Sequence, residues 1–292
     1  MVHYKIGIGG FFLILLFHQS VNAQSNYSFS DYFDQFYNNY YLLNPANSDS
    51  SYKVAATVSN RAQTGLFQGV NKTYADLDIR IAAKRGLKQF VGLQAINNRE
   101  GEFISKNRCL LRYGLRLQLS DRSSLSAGFS GGFVNYAFNT SQSGAGGSSW
   151  VPDANAGIWY LRRKLSIGFS IQQILNQKIR PVNQTYLLGN YYTATVRYSV
   201  PINYFLNFNT HLYAKYQQAQ PIYFVCSSLL EIQQRIELGA GYSYLRGLSY
   251  AVGLKKLSIG NSKFSFYFSY FVGASKVNVS DNAFELLISY HK

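Results

Sequence analysis

Long stretches of the chain alternate between apolar and polar residues with a period of two. Between Cys109 and Leu119 the apolar positions are Leu111, Tyr113, Leu115, Leu117 and Leu119, and the positions between them hold Arg112, Gly114, Arg116 and Gln118. Successive side chains of a β-strand point to opposite faces, so this segment has one apolar face and one strongly polar face. Such a strand separates an apolar environment from a polar one.

The alternation recurs along the whole chain. Fourteen segments show it, at residues 52–60, 73–84, 88–98, 106–119, 123–138, 153–162, 165–173, 186–200, 203–216, 220–232, 235–245, 248–258, 263–274 and 282–291. An even number of antiparallel strands can close into a barrel without the open edge that lipid does not tolerate. The pattern therefore predicts an all-β fold, a transmembrane antiparallel β-barrel of about 14 strands.

Composition supports the barrel. Aromatic residues make up 16% of the chain, with 25 tyrosines and 24 glycines, and the mean hydropathy is −0.11. A near-neutral average fits apolar residues spread by alternation, and abundant aromatic residues fit the girdles of a membrane barrel. The alternative is an exported soluble β-sandwich, which is less favoured because the apolar outer faces would have no second layer to pack against.

The N-terminus has the features of a cleaved signal peptide at residues 1–23. Lys5 precedes the apolar stretch Ile6–Phe17, and small residues end it at Ala23. No later stretch approaches the roughly 20 apolar residues of a membrane-spanning helix. We therefore predict an N-terminal segment at 24–51, a barrel at 52–292, and a location among the lipids of the outer membrane of a Gram-negative bacterium.

Connections between the segments differ in length. Four are very short, at residues 162–164, 200–202, 245–247 and 260–262, whereas others are long, such as the loops at 142–150 and 176–185. Short turns on one rim and longer loops on the other are typical of outer-membrane barrels. We expect the two long loops to carry contact surfaces, because exposed loops bind partners while strands carry the fold.

The polar faces of the strands predict a charged lumen. Charged residues fall on these faces at Asp76, Asp78, Arg80, Arg112, Arg116, Arg197, Glu231, Glu237 and Glu285. We expect them to form a network of ion pairs inside the barrel. For Arg61 two alternatives stay open: a packing role at the rim, which is favoured, and an ion pair with a lumen acid such as Asp76 or Asp78. Bulky residues are assigned to the same side and suggest a narrowed lumen, namely Tyr191, Phe205, Tyr213, Tyr223, Tyr267 and Phe271.

Nothing in the sequence predicts a catalytic, cofactor-binding or metal site. Two histidines lie outside the signal peptide, His211 and His291, and no metal-ligand spacing is present. His211 falls on the polar lumen face, whereas a lipid-acting enzyme would need its Ser/His pair on the lipid-facing wall. Cys109 and Cys226 are expected to be free, buried thiols, although a disulfide between them is an alternative.

The charge balance does not indicate nucleic-acid binding. The chain has 28 basic and 13 acidic residues, but the basic residues are scattered along strands and turns. Export also removes the chain from most nucleic acid.

The predicted N-terminal segment resembles the opening of the PorP/SprF family, outer-membrane proteins of the type IX secretion system. The family's Gln-Phe/Tyr…Asn-Pro-Ala signature is matched here by Gln35, Phe36, Asn44, Pro45 and Ala46. Proline restricts the residue before it to extended backbone, so Asn-Pro-Ala also predicts a rigid turn. We expect this segment to line or plug the periplasmic mouth of the barrel.

Three further motifs resemble the same family in the same order. Arg61 lies in an element similar to the family's Arg-x-Gln-Trp-x-Gly, in which Thr64 replaces the Trp. A mid-barrel strand carries Pro152, Asp153 and Gly157. The last motif contains Glu285, preceded by Phe284 where the family has His.

The resemblance implies a non-enzymatic role in type IX secretion. Such proteins either connect the secretion machinery to the outer membrane or hold the C-terminal domain of a secreted surface protein or adhesin. The sequence does not choose between these partners. A general diffusion porin and an outer-membrane lipid-acting enzyme are the alternatives.

Overall fold

The barrel predicted from the alternation is present. A computed structural model describes residues 26–27, 33–49, 51–65, 68–84, 86–139, 146–182, 185–244, 246–273 and 282–292. Its strands are β1 Val54–Gln63, β2 Val70–Lys84, β3 Leu87–Glu100, β4 Ile104–Ser120, β5 Ser123–Phe138, β6 Gly147–Arg162, β7 Leu165–Gln172, β8 Tyr191–Pro201, β9 Leu206–Gln217, β10 Tyr223–Ile232, β11 Ile236–Ser243, β12 Gly247–Ile259, β13 Ser262–Gly273 and β14 Ala283–His291.

These 14 strands form one closed barrel in which each strand pairs antiparallel with its neighbour in sequence. Closure is made by β14 against β1, for example between Glu285 and Arg61. The fold class and the strand number are therefore confirmed. The predicted signal peptide at 1–23, residues 24–25, 28–32 and 50 of the predicted N-terminal segment, and residues 142–145 and 183–184 of the two predicted loops lie outside the described residues.

The two rims differ in the length of their connections. On one rim, where β1 begins and β14 ends, two to four residues join the strands, whereas on the other rim three to eighteen residues do. We call these the short-turn rim and the long-loop rim. Short turns face the periplasm in outer-membrane barrels. One predicted short connection, 245–247, belongs to the long-loop rim, because three-residue links also occur there.

The outer and inner faces follow the sequence alternation. Leu111 is 68% exposed on the outer wall, whereas its neighbour Arg112 is 3% exposed inside the barrel. The assignment of Phe205 to the interior was wrong, because it lies in the turn before β9 and is 53% exposed. Both cysteines are free, but Cys109 is exposed on the outer wall, so its predicted burial was wrong as well.

A small three-stranded sheet lies at the long-loop rim. In it, Asn26–Tyr27 pairs parallel with Tyr186–Leu188, which pairs antiparallel with Lys178–Ile179. The predicted strand 186–200 is therefore divided: its first part joins this sheet, and β8 begins at Tyr191.

The N-terminal segment crosses the interior of the barrel. After Asn26–Tyr27 at the long-loop rim, the chain forms two short 3-10 helices, Phe36–Asn38 and Tyr40–Leu42, before β1 begins at the short-turn rim. Among the described residues, no helix has the length and apolar character needed to cross a membrane.

Candidate functional site

The barrel lumen is filled by the chain's own N-terminal segment. We call residues 33–49 the lumen plug. Most of its side chains are buried, including Phe33, Phe36, Leu42, Leu43 and Ala46. These apolar residues join two hydrophobic clusters with residues of the barrel wall. The predicted plugging segment is thus found inside the barrel, and Tyr37, Tyr40 and Tyr41 are buried there.

A buried carboxylate of the last strand holds the start of the plug. Glu285, which is 0% exposed, accepts hydrogen bonds from the backbone N–H groups of Asp34 at 2.6 Å and Gln35 at 3.3 Å. The Gln35 amide donates to the Glu285 carbonyl oxygen at 3.0 Å. On the neighbouring strand, the Ser59 hydroxyl donates to Glu285 Oε1 at 2.9 Å. Two predicted motif residues, Gln35 and Glu285, therefore meet although they are 250 positions apart.

Arg61 completes this cluster. Its Nε lies 2.9 Å from Asp34 Oδ2, and both side chains are buried. The guanidinium also lies 5.5 Å from the centre of the Phe271 ring. The carboxylate next to Arg61 is that of Asp34 in the plug, whereas Asp78 pairs with Arg112 and Asp76 accepts a hydrogen bond from Asn39.

The Asn-Pro-Ala turn fits against two glycines of the wall. The Asn44 side-chain amide donates to the carbonyl oxygens of Ile158 at 3.0 Å and Phe169 at 3.1 Å, and Asn44 Oδ1 accepts from the Ala46 N–H at 2.9 Å. A Cβ atom at Gly157 would lie 2.1 Å from Asn44 Oδ1, and one at Gly128 would lie 2.2 Å from the Pro45 carbonyl oxygen. The turn can therefore approach the wall this closely only where side chains are absent.

The backbone carbonyl group of Leu43 lies between the 3-10 helices and the Asn-Pro-Ala turn, and it is also hydrogen-bonded to the wall. Leu43 O accepts hydrogen bonds from the Ser170 hydroxyl at 2.7 Å and from the Gln172 amide at 2.9 Å. Thr193 Oγ1 lies 3.3 Å from the same oxygen. Buried polar groups cost free energy unless they are hydrogen-bonded. These hydrogen bonds therefore hold the plug in one position against the wall.

The end of the plug is bound by two arginines of β4. Arg112 donates to the Asn47 carbonyl oxygen, stacks 3.3 Å from the centre of the Tyr41 ring, and pairs with Asp78 at 2.8 Å. Arg116 Nη2 donates to the Ser48 carbonyl oxygen at 2.5 Å. The predicted pairing of lumen charges is present at Arg112 and Asp78. Both arginines also anchor the plug, each through a backbone carbonyl oxygen.

Aromatic side chains of the plug pack against strands β6 and β9 of the wall. The Tyr40 ring lies 5.0 Å from the Trp159 ring, and its hydroxyl lies 2.5 Å from His211 Nδ1. The Phe36 ring lies 5.6 Å from that of Tyr213. His211 is thus in contact with the plug and faces away from lipid.

The remaining predicted residues are distributed around the lumen. Asp153 of β6, next to Pro152, pairs with Arg108 at 3.0 Å, and Glu237 pairs with Lys255 at 2.9 Å. Asp76 accepts a hydrogen bond from the Asn39 amide. Arg80 is half-buried near the short-turn rim. Arg197 is exposed to a cavity there and forms no ion pair with the described residues, so its predicted place in the ion-pair network was wrong. Sequence reasoning missed Asp34, Arg108, Gly128 and Lys255, whose partners lie far away in the sequence.

The described residues contain no group of three or more His, Cys, Asp or Glu side chains placed to hold a metal ion.

The fold and the filled lumen define a class, an outer-membrane β-barrel closed by its own N-terminal segment. The family model for the type IX secretion system membrane protein PorP/SprF matches residues 25–290. The chain therefore belongs to the PorP/SprF family. A comparison with curated proteins gave no match.

Solved structures with a similar fold are outer-membrane barrels of other families. The toluene transporter TbuX of Ralstonia pickettii has a TM-score of 0.53 and 12% identity, over 85% of this chain and 92% of that chain. A FadL homologue of Pseudomonas aeruginosa has a TM-score of 0.51 and 11% identity, over the same shares of the two chains. The Pseudomonas putida toluene transporter TodX gives 0.51 and 12%, over 87% and 93%. At this identity the similarity shows the fold alone.

Proposed function

We propose that this protein is a non-enzymatic component of the type IX secretion system that holds a partner at the outer membrane and does not conduct solutes. The observation that carries the proposal is the lumen plug. It is bonded to the wall at Glu285, at the Asn44 turn and at Arg112, and each of these anchors is buried. A general diffusion porin needs an open, water-filled lumen, so the plug argues against that alternative.

The long-loop rim is the proposed contact surface. The loop after β7 touches the start of β6, where the Arg180 N–H donates to Ser149 Oγ at 3.3 Å. Here the described parts of the two predicted loops, 142–150 and 176–185, meet in one surface. It exposes Trp150 (67%) together with Lys178 and Arg180. Aromatic and arginine side chains are enriched at protein interfaces.

We favour the C-terminal domain of a secreted surface protein as the partner, because long loops of outer-membrane barrels face the cell exterior. A periplasmic component of the secretion machinery would instead meet the short-turn rim.

Co-purification tests this choice. The triple variant W150S/K178E/R180E changes the long-loop rim, and the matched control R163E/K164E changes exposed cations of the short-turn rim. We expect the first variant to lose retention of a purified secretion-type C-terminal domain at least tenfold and the control to keep it. Loss of the bound domain in the control alone would place the partner on the periplasmic side. Retention of the domain by both variants would contradict the proposal that the long-loop rim binds it.

A further inference from the structure

A cavity at the short-turn rim remains outside the plug. It has a volume of about 490 Å³, and the plug forms its inner end at residues 37–41. We call it the rim vestibule. Its walls come from several strand ends and include Trp159, Arg197, Glu231, Lys255 and Lys256. Because this rim faces the periplasm, the vestibule opens to that compartment.

The acidic groups of the vestibule are already engaged. Asp78 pairs with Arg112, Glu231 pairs with Lys255, and Asp76 accepts from the Asn39 amide. Asp49 Oδ1 accepts a hydrogen bond from the Ser51 N–H at 2.9 Å. Two of the four basic groups are placed differently: within the described residues, neither Arg197 nor Lys256 forms an ion pair, and both line the cavity. The lining Asp and Glu residues equal the lining Lys and Arg residues in number, so what the vestibule offers to a ligand is these two unpaired cations.

A β-bulge places one of these two unpaired cations, Lys256, at the vestibule. The register of β12 against β13 shifts between Leu254 and Leu257, so that one extra residue is inserted and both Lys255 and Lys256 reach the vestibule. Lys256 adopts a φ of +55°, which is uncommon for a residue with a side chain. Its N–H donates to Ser265 Oγ at 3.0 Å. Bulges redirect side chains and are over-represented at barrel rims and beside functional sites.

We propose that the rim vestibule binds a carboxylate-bearing, extended peptide that enters from the periplasm. A guanidinium such as that of Arg197 binds a carboxylate through two parallel hydrogen bonds. The aromatic rings of Trp159 and Tyr40 and the amide of Asn38 line the same cavity, and together they suit the apolar and polar parts of a peptide. This site lies on the opposite rim from the surface proposed for the secreted partner and does not depend on it.

Trp159 provides a direct reporter of binding. The chain has two tryptophans, and Trp150 lies near the long-loop rim, away from the vestibule. In a W150F background, we would titrate the purified barrel with acetyl-tetraalanine, which ends in a carboxylate, and with its C-terminal amide. We expect a saturable change in Trp159 emission with the acid and at least tenfold weaker binding of the amide, as expected for loss of a charge-assisted contact.

Variants of the two cations test where the peptide carboxylate binds. R197Q and, separately, K256Q are expected to weaken binding of the acid about tenfold, whereas K164Q, on the same rim but outside the vestibule, should bind as well as the parent. A heat-dependent shift in electrophoretic mobility checks that each barrel has assembled. Equal binding of acid and amide, unchanged binding in both R197Q and K256Q, or no saturable change at all would each overturn the proposal. Equal binding by acetate and the peptide would also overturn it, because the site would then recognise only a small anion.

Discussion

At the scale of single residues, the plug depends on charges that are buried together. Asp34 and Glu285 bring two carboxyl groups into one buried cluster, and Arg61 supplies a guanidinium beside them. Removing one partner of a buried ion pair is far more costly than removing an exposed one, because it leaves a charge without compensation. Arg61 therefore contributes to stability mainly because, without it, the buried carboxylate of Asp34 would have no counter-ion.

A double-mutant cycle tests this cluster. We expect R61Q to lower the free energy of unfolding in lipid vesicles by about 3–5 kcal/mol, because Asp34 remains buried without its counter-ion. Adding D34N should restore at least half of the loss. R163Q, which changes an exposed arginine of a short turn, should have an effect below about 0.5 kcal/mol. Additive losses in the R61Q/D34N double mutant would contradict the pairing.

Residue identities in the motifs were predictable, but most of their partners were not. The sequence singled out Arg61, Gln35 and Glu285, and the structure brings all three together. The pairing of Arg61 with Asp34 could not be read from strand alternation, because Asp34 belongs to a segment without a period. Gly157 was named from a motif, and its physical reason, the contact with Asn44, appeared only when the plug was placed.

At the scale of elements, the strands were predictable because each must present an apolar face to lipid and a polar face to the lumen. The path of residues 33–49 was harder to predict, because no repeating pattern records its contacts. The structure adds the direction in which this segment runs through the barrel. Asn26–Tyr27 lies in the sheet at the long-loop rim, and β1 begins at the short-turn rim, so the segment passes through the whole barrel.

This direction predicts on which side of the membrane the chain directly before Asn26 lies. An epitope inserted directly before Asn26 should be detected by antibody on intact cells, because the neighbouring strand Tyr186–Leu188 belongs to an outward-facing loop. The same epitope inserted in the turn between β12 and β13, at Gly260, should be detected only after the cells are permeabilised. Detection of the first epitope only after permeabilisation would contradict the proposed path.

At the scale of the whole molecule, the central claim is that this barrel is closed. A barrel of 14 strands could hold a channel, but here the interior is occupied by apolar clusters and by bonded polar groups of the plug. The strand ladder closes without any plug residue. The wall should therefore assemble even when the plug is removed, with water taking the place of the lost partners.

Planar-bilayer recording tests this claim most directly. The purified full-length protein should show no steady conductance, whereas a variant lacking residues 24–49 should form a stable open channel, provided that its heat-dependent electrophoretic mobility shows an assembled barrel. The comparison isolates the plug, because the two proteins share every strand. A large, steady conductance of the full-length protein, equal to that of the variant, would contradict the closed barrel and favour a diffusion porin.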